Sequence, residues 1–293
     1  MHPLAYFLAR AAWSCIVMIK RIDNFLTSDQ ARWPKRQPFD EQLLKVALIA
    51  LAIGTLLLMI DGLSTGFDFV QMLSLMLPPI LWEHITFMGD TLVVLTLALL
   101  FAFRYPHLLL ALLLTAIIGT LITHGIKPWL ATPRPPAILE PGTFQLIGSS
   151  ISKKSMPSGH TLTAFAAAGL LTRLTADRAL QYLILIAACF VGWSRVAVGV
   201  HWPADVLMGA AGGLISAWAG LKLCDRWQHR FRGWGYLTLL GIHGLCAIAL
   251  LGYNGGMPHT GLFSLLTGLI CLGFSFYQLS LRGFAPKIHL FRR

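Results

Sequence analysis

Charged residues are scarce in this sequence: they make up 12% of its 293 positions, and Asp and Glu together number only 12. Soluble domains have roughly 25% charged residues, so this chain has too few of them to cover a water-facing globule of its size. The five cysteines are scattered, odd in number and mostly inside apolar runs. These shortages argue against a soluble enzyme, a disordered protein, a disulfide scaffold and a cysteine-ligated metal centre.

Apolar residues are correspondingly frequent. They make up 56% of the chain, and the mean hydropathy is +0.69. A membrane-spanning helix needs about 20 mostly apolar residues, and eight stretches of the sequence reach or approach that length. The composition and these stretches predict an all-α, polytopic membrane helix bundle. The predicted spans cover about 43–60, 88–104, 107–124, 160–176, 179–196, 204–224, 235–252 and 261–281.

The basic residues predict how the chain is oriented. With the N-terminus in the cytoplasm, 18 of the 23 Lys and Arg residues lie on the cytoplasmic side, as the positive-inside rule requires. We therefore expect a multi-pass protein of a bacterial-type cytoplasmic (inner) membrane with both termini in the cytoplasm. The five outer exceptions need another explanation, and they fall in two segments, 125–159 and 193–203. They are Lys127, Arg134, Lys153, Lys154 and Arg195.

The first outer segment contains two cations among prolines. Pro128 disfavours helix at the residue before it, so we expect the third span to end near Lys127. The other prolines should keep the chain extended through Arg134 to Pro136. Both cations would then lie at the membrane rim, where they could converge on one anion. The alternative is that each simply extends to the lipid headgroups.

The second group of candidate residues lies at a predicted helix start. Ser158 is a good N-cap residue, Gly159 adds no side-chain bulk, and an apolar run begins after His160. Free backbone N–H groups at a helix start bind anions, and a histidine in the first turn could carry a proton beside such an anion. The alternative is an ordinary helix cap with an incidental histidine.

The third group pairs a histidine with a carboxylate. Pro203 suits the first position of a helix, which places His201 just before the helix and Asp205 in its first turn. A carboxylate on one ring nitrogen fixes the tautomer and leaves the other nitrogen free to attack or to take a proton. An unrelated interfacial histidine and helix-start aspartate are a weaker explanation, because Arg195 lies nearby on a face that has little other charge.

Together these groups place three cations, two histidines, one carboxylate and one helix N-terminus on the same face of the membrane. Phosphoryl transfer without a metal needs such a set, because cations hold the nonbridging oxygens while one histidine attacks phosphorus and the other protonates the leaving oxygen. A magnesium site would need clustered carboxylates, and the outer ones besides Asp205 are scattered: Asp61, Asp68, Glu83, Asp90 and Glu140. We therefore expect neither a metal nor another cofactor, and we do not interpret the basic excess as a nucleic-acid surface. Of the residues that border the same face, Glu83, His84 and Asp90 are expected to shape the choice of acceptor or substrate.

The three groups resemble the three-part signature of the type 2 phosphatidic acid phosphatase (PAP2) superfamily, which also includes vanadium haloperoxidases and glucose-6-phosphatase. The matching motifs are Lys127-x6-Arg134-Pro135, Pro157-Ser158-Gly159-His160 and Ser194-Arg195-x5-His201-x3-Asp205. The resemblance implies that His201 is the nucleophile that becomes a phosphohistidine, with Asp205 as its orienting partner. It implies that His160 is the general acid and then the base for water. The implied phosphate-binding residues are Lys127, Arg134, Ser158, Gly159 and Arg195.

The resemblance also implies how the chain is organised. A six-helix core of the PAP2 type would occupy 43–224, after a cytoplasmic or interfacial N-terminal segment at 1–42. Residues 225–293 would add two further membrane helices and a basic cytoplasmic tail. The purpose of those two helices and the oligomeric state stay open.

The function that this resemblance favours is a metal-independent lipid phosphatase acting at the outer, periplasmic face. Undecaprenyl diphosphate, phosphatidate, phosphatidylglycerol phosphate and lipid A phosphate are all candidate substrates. A phosphotransferase would use the same phosphohistidine but pass the phosphate to another lipid instead of water. A transporter or channel is the non-enzymatic alternative, although we expect almost no buried acidic or basic residue within the spans and find no obvious repeat of halves in the sequence.

Overall fold

The computed structural model describes residues 3–28, 33–149 and 154–281, and this part of the chain contains helices and no strands. The predicted all-α membrane fold is thereby confirmed. The predicted basic tail at 282–293 and the outer-side Lys153 lie outside the described residues. Eight helices occupy the eight predicted spans or part of them: α2 Pro38–Asp61, α5 Thr91–Leu97, α6 His107–Leu130, α8 Gly159–Thr172, α9 Arg178–Ala197, α10 Pro203–Trp227, α11 Gly233–Leu250 and α12 Gly261–Leu281.

Four further α-helices and three short 3-10 helices complete the described part. The N-terminal helix α1 packs against α11, and the Asp23 carboxylate accepts a hydrogen bond from the Gly233 backbone N–H at 2.6 Å. These remaining elements are α1 Pro3–Leu26, α3 Phe67–Ser74, α4 Pro79–Phe87, α7 Pro135–Ile138, and the 3-10 turns Gly62–Ser64, Ala98–Leu100 and Gln228–Arg230.

The number of full-length spans is smaller than the eight predicted. Over the described ranges, six helices are long and apolar enough to cross a membrane, or seven if one bent pair counts as a single span. That pair replaces the predicted span at 88–104, and its two parts meet at an angle of 64°. The bend has a local cause, because Asp90 starts a new helix by accepting a hydrogen bond from the Leu92 N–H at 2.8 Å.

Helix α8 is the second departure from the predicted spans. Its 14 residues extend about 21 Å, which is less than the roughly 30 Å of a bilayer's hydrocarbon core. The chain leaves the helix at Arg173, whose buried guanidinium donates to the carboxylates of Asp40 and Asp225, each at 2.8 Å. These partners lie far away in the sequence, so the apolar run alone did not predict the early end of the helix.

The end of α6 corrects a third expectation. Lys127 does not end this helix, which continues through Pro128 to Leu130. A proline costs the helix one N–H, and a single such loss is tolerated in the last turn. Ala131 then closes the helix in the left-handed region with φ 42°, donating to the Lys127 carbonyl at 3.0 Å. Residues 135–138 form a short helical turn, α7, where we expected an extended chain.

Helix α10 occupies the centre of the bundle and packs against α2, α6 and α8. Glycines on its surface permit the approach to α8: a Cβ on Gly209 would lie 2.6 Å from the Ser158 carbonyl oxygen, and one on Gly213 would lie 2.3 Å from that of Leu162. The starts of α8 and α10 are thus held side by side. The two C-terminal helices are attached at the edge, where α11 packs against α5 and α12.

Replacing Gly213 with alanine is expected to lower the stability of the bundle by about 1–3 kcal/mol, because the added methyl group overlaps the α8 backbone. Thermal unfolding in detergent, followed by tryptophan fluorescence, measures this change. Gly244 on α11 provides the matched control, since a Cβ there meets nothing within 4 Å and alanine improves helix propensity. Equal melting temperatures for Gly213→Ala and Gly244→Ala would contradict the close α8–α10 contact.

Candidate active site

All the predicted site residues lie at one end of the bundle, where α6 and α9 end and α8 and α10 begin. Lys127 is in the last turn of α6, His160 is in the first turn of α8, and Arg195 is in the last turn of α9. His201 precedes α10, and Asp205 lies in the first turn of that helix. The structure therefore brings together three segments that are far apart in the sequence.

The side chains of His201 and Asp205 are paired and buried. His201 Nδ1 lies 3.2 Å from Asp205 Oδ2, and the same oxygen accepts from the Trp202 backbone N–H at 2.8 Å. Ser155 adds a third contact, because its hydroxyl donates to Asp205 Oδ2 and lies 3.3 Å from His201 Nδ1. This arrangement favours the tautomer of His201 that carries its proton on Nδ1.

The other ring nitrogen of His201 faces a cation. Arg134 Nη1 lies 3.3 Å from His201 Nε2 and donates to the Val200 carbonyl at 3.1 Å. An arginine has only donors, so the Nε2 atom facing it presents its lone pair. His201 thus directs a nucleophilic nitrogen toward the guanidinium that would hold an anion.

The protonation state of His201 agrees with this geometry. Burial lowers the pKa of His201 well below its ordinary value, and the positive charges of Arg134, Arg195 and Lys127 lower that pKa further. The imidazole is therefore neutral at pH 7, with one nitrogen available for attack.

Arg195 is a buried cation with an unsatisfied donor. Its Nη1 donates to the Thr86 hydroxyl at 2.5 Å. Its buried Nε–H has no hydrogen-bond acceptor in the described part of the chain. A buried charged donor without an acceptor is costly, and an anion such as phosphate would satisfy it.

The start of α8 contributes backbone donors. The Ser158 side chain caps the helix and accepts from the Thr161 hydroxyl at 2.9 Å, and the Ser158 N–H donates to the Asp205 carbonyl at 3.0 Å. Ser158 thus joins the starts of α8 and α10. The first N–H groups of a helix have no acceptor inside it, so those of Gly159 and His160 are the ones suited to an anion. A direct phosphate contact by the Ser158 side chain stays a prediction.

His160 faces an acidic residue, Asp90, which begins α5. Its Nε2 lies 3.9 Å from Asp90 Oδ2, and its side chain is 30% exposed. His160 is thus the more accessible of the two site histidines, which suits a group that must exchange protons with a leaving group and with water.

Lys127 is the least constrained of the predicted residues. Its side chain is half-buried, and its positive charge acts on His201. A flexible ammonium group on a long stem suits an anion whose position changes during the reaction.

The site offers cations where a metal centre would need anions. No group of three or more His, Cys, Asp or Glu side chains within residues 3–28, 33–149 and 154–281 is arranged to hold a metal ion. The residues that converge on the space beside His201 are instead Arg134, Arg195 and Lys127. Such a set binds the nonbridging oxygens of a phosphoryl group directly.

Two contacts of the site were missed in the sequence. Ser155 and Thr86 hold Asp205 and Arg195, but neither belongs to a recognisable spacing. Asp90, together with Glu83 and His84, was predicted to border this face and to shape the choice of acceptor or substrate, and its contact with His160 was not predicted. Its place directly before an apolar run is typical of an N-cap residue.

Residues 108–230 match the family model described as "PAP2 superfamily". The segment contains every predicted site residue, and the match confirms the resemblance that the three motifs indicated. The residues before 108 and the last two membrane helices lie outside it.

Named proteins of other organisms are similar to parts of this chain. An undecaprenyl-diphosphatase of Sulfolobus acidocaldarius is 34% identical over 122 residues, which cover 41% of this chain and 56% of the relative. A lipid A 1-phosphatase of Porphyromonas gingivalis is 41% identical over 73 residues, 24% of this chain and 16% of the relative. The chain thus spans about half the length of the first relative and less of the second. Among solved structures, Aquifex aeolicus LpxE is 27% identical with a TM-score of 0.45, covering 53% of this chain and 92% of that one.

Proposed function

Since residues 108–230 match the PAP2 superfamily model, we propose that this protein is a membrane phosphatase that hydrolyses a lipid phosphate or diphosphate through a phosphohistidine. The observation that carries the proposal is the pair of contacts on His201. Asp205 lies at its Nδ1 and Arg134 at its Nε2, at 3.2 and 3.3 Å. A neutral, oriented imidazole beside a guanidinium is suited to attack a phosphorus atom whose oxygens that guanidinium holds.

The first half-reaction forms the phosphohistidine. Nε2 of His201 attacks phosphorus while the P–O bond to the leaving group breaks, and the electron pair of that bond goes to the leaving oxygen. His160 gives its proton to this oxygen. The nonbridging oxygens are held by the cations and by the free N–H groups at the start of α8.

The second half-reaction restores the enzyme. Neutral His160 takes a proton from water as the water oxygen attacks phosphorus, and the P–N bond to His201 breaks. His201 keeps its Nδ1 proton throughout, since the carboxylate of Asp205 stabilises the cationic ring of the phosphohistidine. Inorganic phosphate leaves, and no metal takes part in either step.

A lipid substrate is supported by the surroundings of His160. A groove of about 280 Å³ runs between α5, α6 and α8. Asp90 and His160 lie on its wall together with apolar residues such as Val94, Leu112 and Leu162. When the phosphate of a lipid is bound at His201, the acyl or prenyl chain of that lipid could thus lie in this groove. The names of the relatives, which are an undecaprenyl-diphosphatase and a lipid A 1-phosphatase, point to the same substrate class.

The site is proposed to face the periplasm. The opposite end of the bundle carries Arg173, Arg178, Lys222 and Arg226, which the positive-inside rule assigns to the cytoplasm. Of the described cations at the site end, Lys127, Arg134 and Arg195 are used in the proposed chemistry, and Lys154 has no assigned part in it. The N- and C-termini would both lie in the cytoplasm of a bacterial-type inner membrane.

The purified protein is expected to release inorganic phosphate from at least one lipid phosphate, with a rate that EDTA leaves unchanged. The panel contains undecaprenyl diphosphate, phosphatidate, phosphatidylglycerol phosphate and lipid A phosphate in detergent micelles. Cations of the protein, and no metal, neutralise the phosphoryl charge in this mechanism, which is why a chelator should have no effect.

The same assay separates the alternatives. Activity that EDTA abolishes would contradict the metal-free mechanism. Transfer of the labelled phosphate to an added lipid acceptor, with no free phosphate, would identify a phosphotransferase. Absence of any phosphate loss across the panel would overturn the proposed phosphatase and favour the transporter.

A further inference from the structure

The loop between α11 and α12 contacts the rim of the active site. His259 binds the buried carboxylate of Glu83 through its backbone N–H at 2.9 Å and its Nδ1 at 3.0 Å. Tyr253 donates its hydroxyl to Asp90 Oδ2 at 3.0 Å. Both acceptors border the bend between α4 and α5. The two C-terminal helices thus reach the site through one loop, although they lie outside the segment that the family model matches.

Both oxygens of Asp90 are held in place. Oδ1 accepts from the Leu92 N–H at 2.8 Å, while Oδ2 accepts from Tyr253 and lies 3.9 Å from His160 Nε2. The carboxylate is largely buried, with 10% of the side chain exposed. Asp90 therefore presents a fixed negative charge to His160, and a residue from the added helices orients it.

The phenol of Tyr253 remains a donor at any physiological pH. Burial and the neighbouring Asp90 carboxylate raise the pKa of Tyr253 to about 12. A protonated phenol donates to the Asp90 carboxylate. Tyr253 thus orients that carboxylate beside His160.

His160 needs such a charge, because the rest of its surroundings is positive. Burial lowers the pKa of His160 well below its ordinary value, and the positive charges of Arg195, Arg134 and Lys127 lower that pKa further. The proposed mechanism requires the imidazole of His160 to be protonated when the leaving group departs. Asp90 is the carboxylate in ion-pair range of His160, and it offsets part of this repulsion.

We propose that Asp90, oriented by Tyr253, is a positioning residue that holds protonated His160 for delivery of its proton to the leaving oxygen. With Nε2 of His160 facing Asp90, Nδ1 is the ring nitrogen left to pass its proton as the P–O bond breaks. The proton goes to the leaving oxygen, and His160 becomes neutral. Asp90 itself gains and loses no proton. This inference rests on the proposed function, and it assigns the two added helices a part in the reaction.

The test compares two leaving groups in the full-length protein. Asp90→Asn removes the charge and retains the cap of α5, since asparagine and aspartate are equally good N-cap residues. Hydrolysis of a lipid phosphate, whose alkoxide leaving group needs a proton, is expected to fall about 10- to 100-fold, in the range of general acid catalysis. Hydrolysis of p-nitrophenyl phosphate, whose leaving group needs no proton, is expected to stay within about 2-fold. Tyr253→Phe should give the same pattern with a smaller effect: a smaller fall in the hydrolysis of the lipid phosphate, and little change in that of p-nitrophenyl phosphate.

Glu83→Gln is the matched control, because it loosens the same loop at its other anchor without touching His160. It is expected to leave both rates near those of the wild type. Equal losses for Asp90→Asn and Glu83→Gln, or equal losses on both leaving groups, would overturn the positioning role. An Asp90→Asn protein with wild-type rates would overturn it too, and the phosphatase function would stand. A wild-type protein that releases phosphate neither from any lipid of the panel nor from p-nitrophenyl phosphate would overturn the proposed function, and this role with it.

Discussion

The His201→Ala variant is expected to lose phosphate release by at least about 10³-fold, because removal of a nucleophile eliminates the covalent route altogether. His201 is 2% exposed, and its Nε2 is the lone-pair nitrogen that faces Arg134 Nη1 at 3.3 Å. No other described histidine has both a carboxylate at one nitrogen and a guanidinium at the other. The measurement is the initial rate on the best lipid phosphate of the panel, together with acid-labile radiolabel retained on the protein.

The control for His201→Ala is His229→Ala. His229 is exposed on the 3-10 turn that follows α10, at the far end of that helix from Asp205. The His229→Ala substitution should leave both the rate of phosphate release and the radiolabel retained on the protein unchanged. A His201→Ala protein that elutes as a folded species and still hydrolyses lipid phosphate at the wild-type rate would refute the phosphohistidine mechanism.

Replacement of Asp205 with asparagine is expected to reduce turnover on the order of 10²–10³-fold with little change in binding, because an amide cannot hold the required tautomer of His201. The carboxylate oxygen Oδ2 accepts from Trp202 N–H, from Ser155 and from the His201 ring. An amide nitrogen in the place of Oδ2 is itself a donor, so it could not accept these three hydrogen bonds. The loss should therefore appear in kcat, and KM should change little.

Asp177→Asn is the comparison for Asp205→Asn, since Asp177 is also an acidic residue at a helix start, capping α9 by accepting from the Ala179 N–H at 2.8 Å. Its activity should match the wild type, because asparagine caps equally well. Ser155→Ala removes one of the donors to Asp205. Its kcat should lie between that of Asp205→Asn and that of Asp177→Asn. If Asp205→Asn retained the wild-type kcat, Asp205 would have no part in orienting the nucleophile.

The sequence predicted the local parts of this molecule well and the distant contacts poorly. The apolar runs indicated where the helices lie, because burial in a bilayer requires continuous apolar surface. The three motifs indicated the site, because each places its chemical groups within a few residues of a helix end. His201 and Asp205 are four residues apart, and one helix start suffices to pair them.

What the sequence missed depends on contacts between segments that are far apart along the chain. The early end of α8 follows from the pairing of Arg173 with Asp40 and Asp225, more than fifty residues away on either side. The contacts of Thr86 with Arg195 and of Ser155 with Asp205 also join segments that are far apart in the sequence. No periodicity of the sequence connects those segments. The bend at Asp90 brings a carboxylate to His160 across seventy residues, which hydropathy cannot reveal.

The pairing of Arg173 has a consequence for how the site accommodates its substrate. Helix α8 is fastened at both ends, at Ser158 by the start of α10 and at Arg173 by two carboxylates. In the proposed mechanism these two attachments fix the position of His160 before a substrate binds, so the entropic cost of aligning the proposed proton donor is met during folding and not in each catalytic cycle. The proposed lipid substrate would then bring its phosphate to a side chain that is already in place.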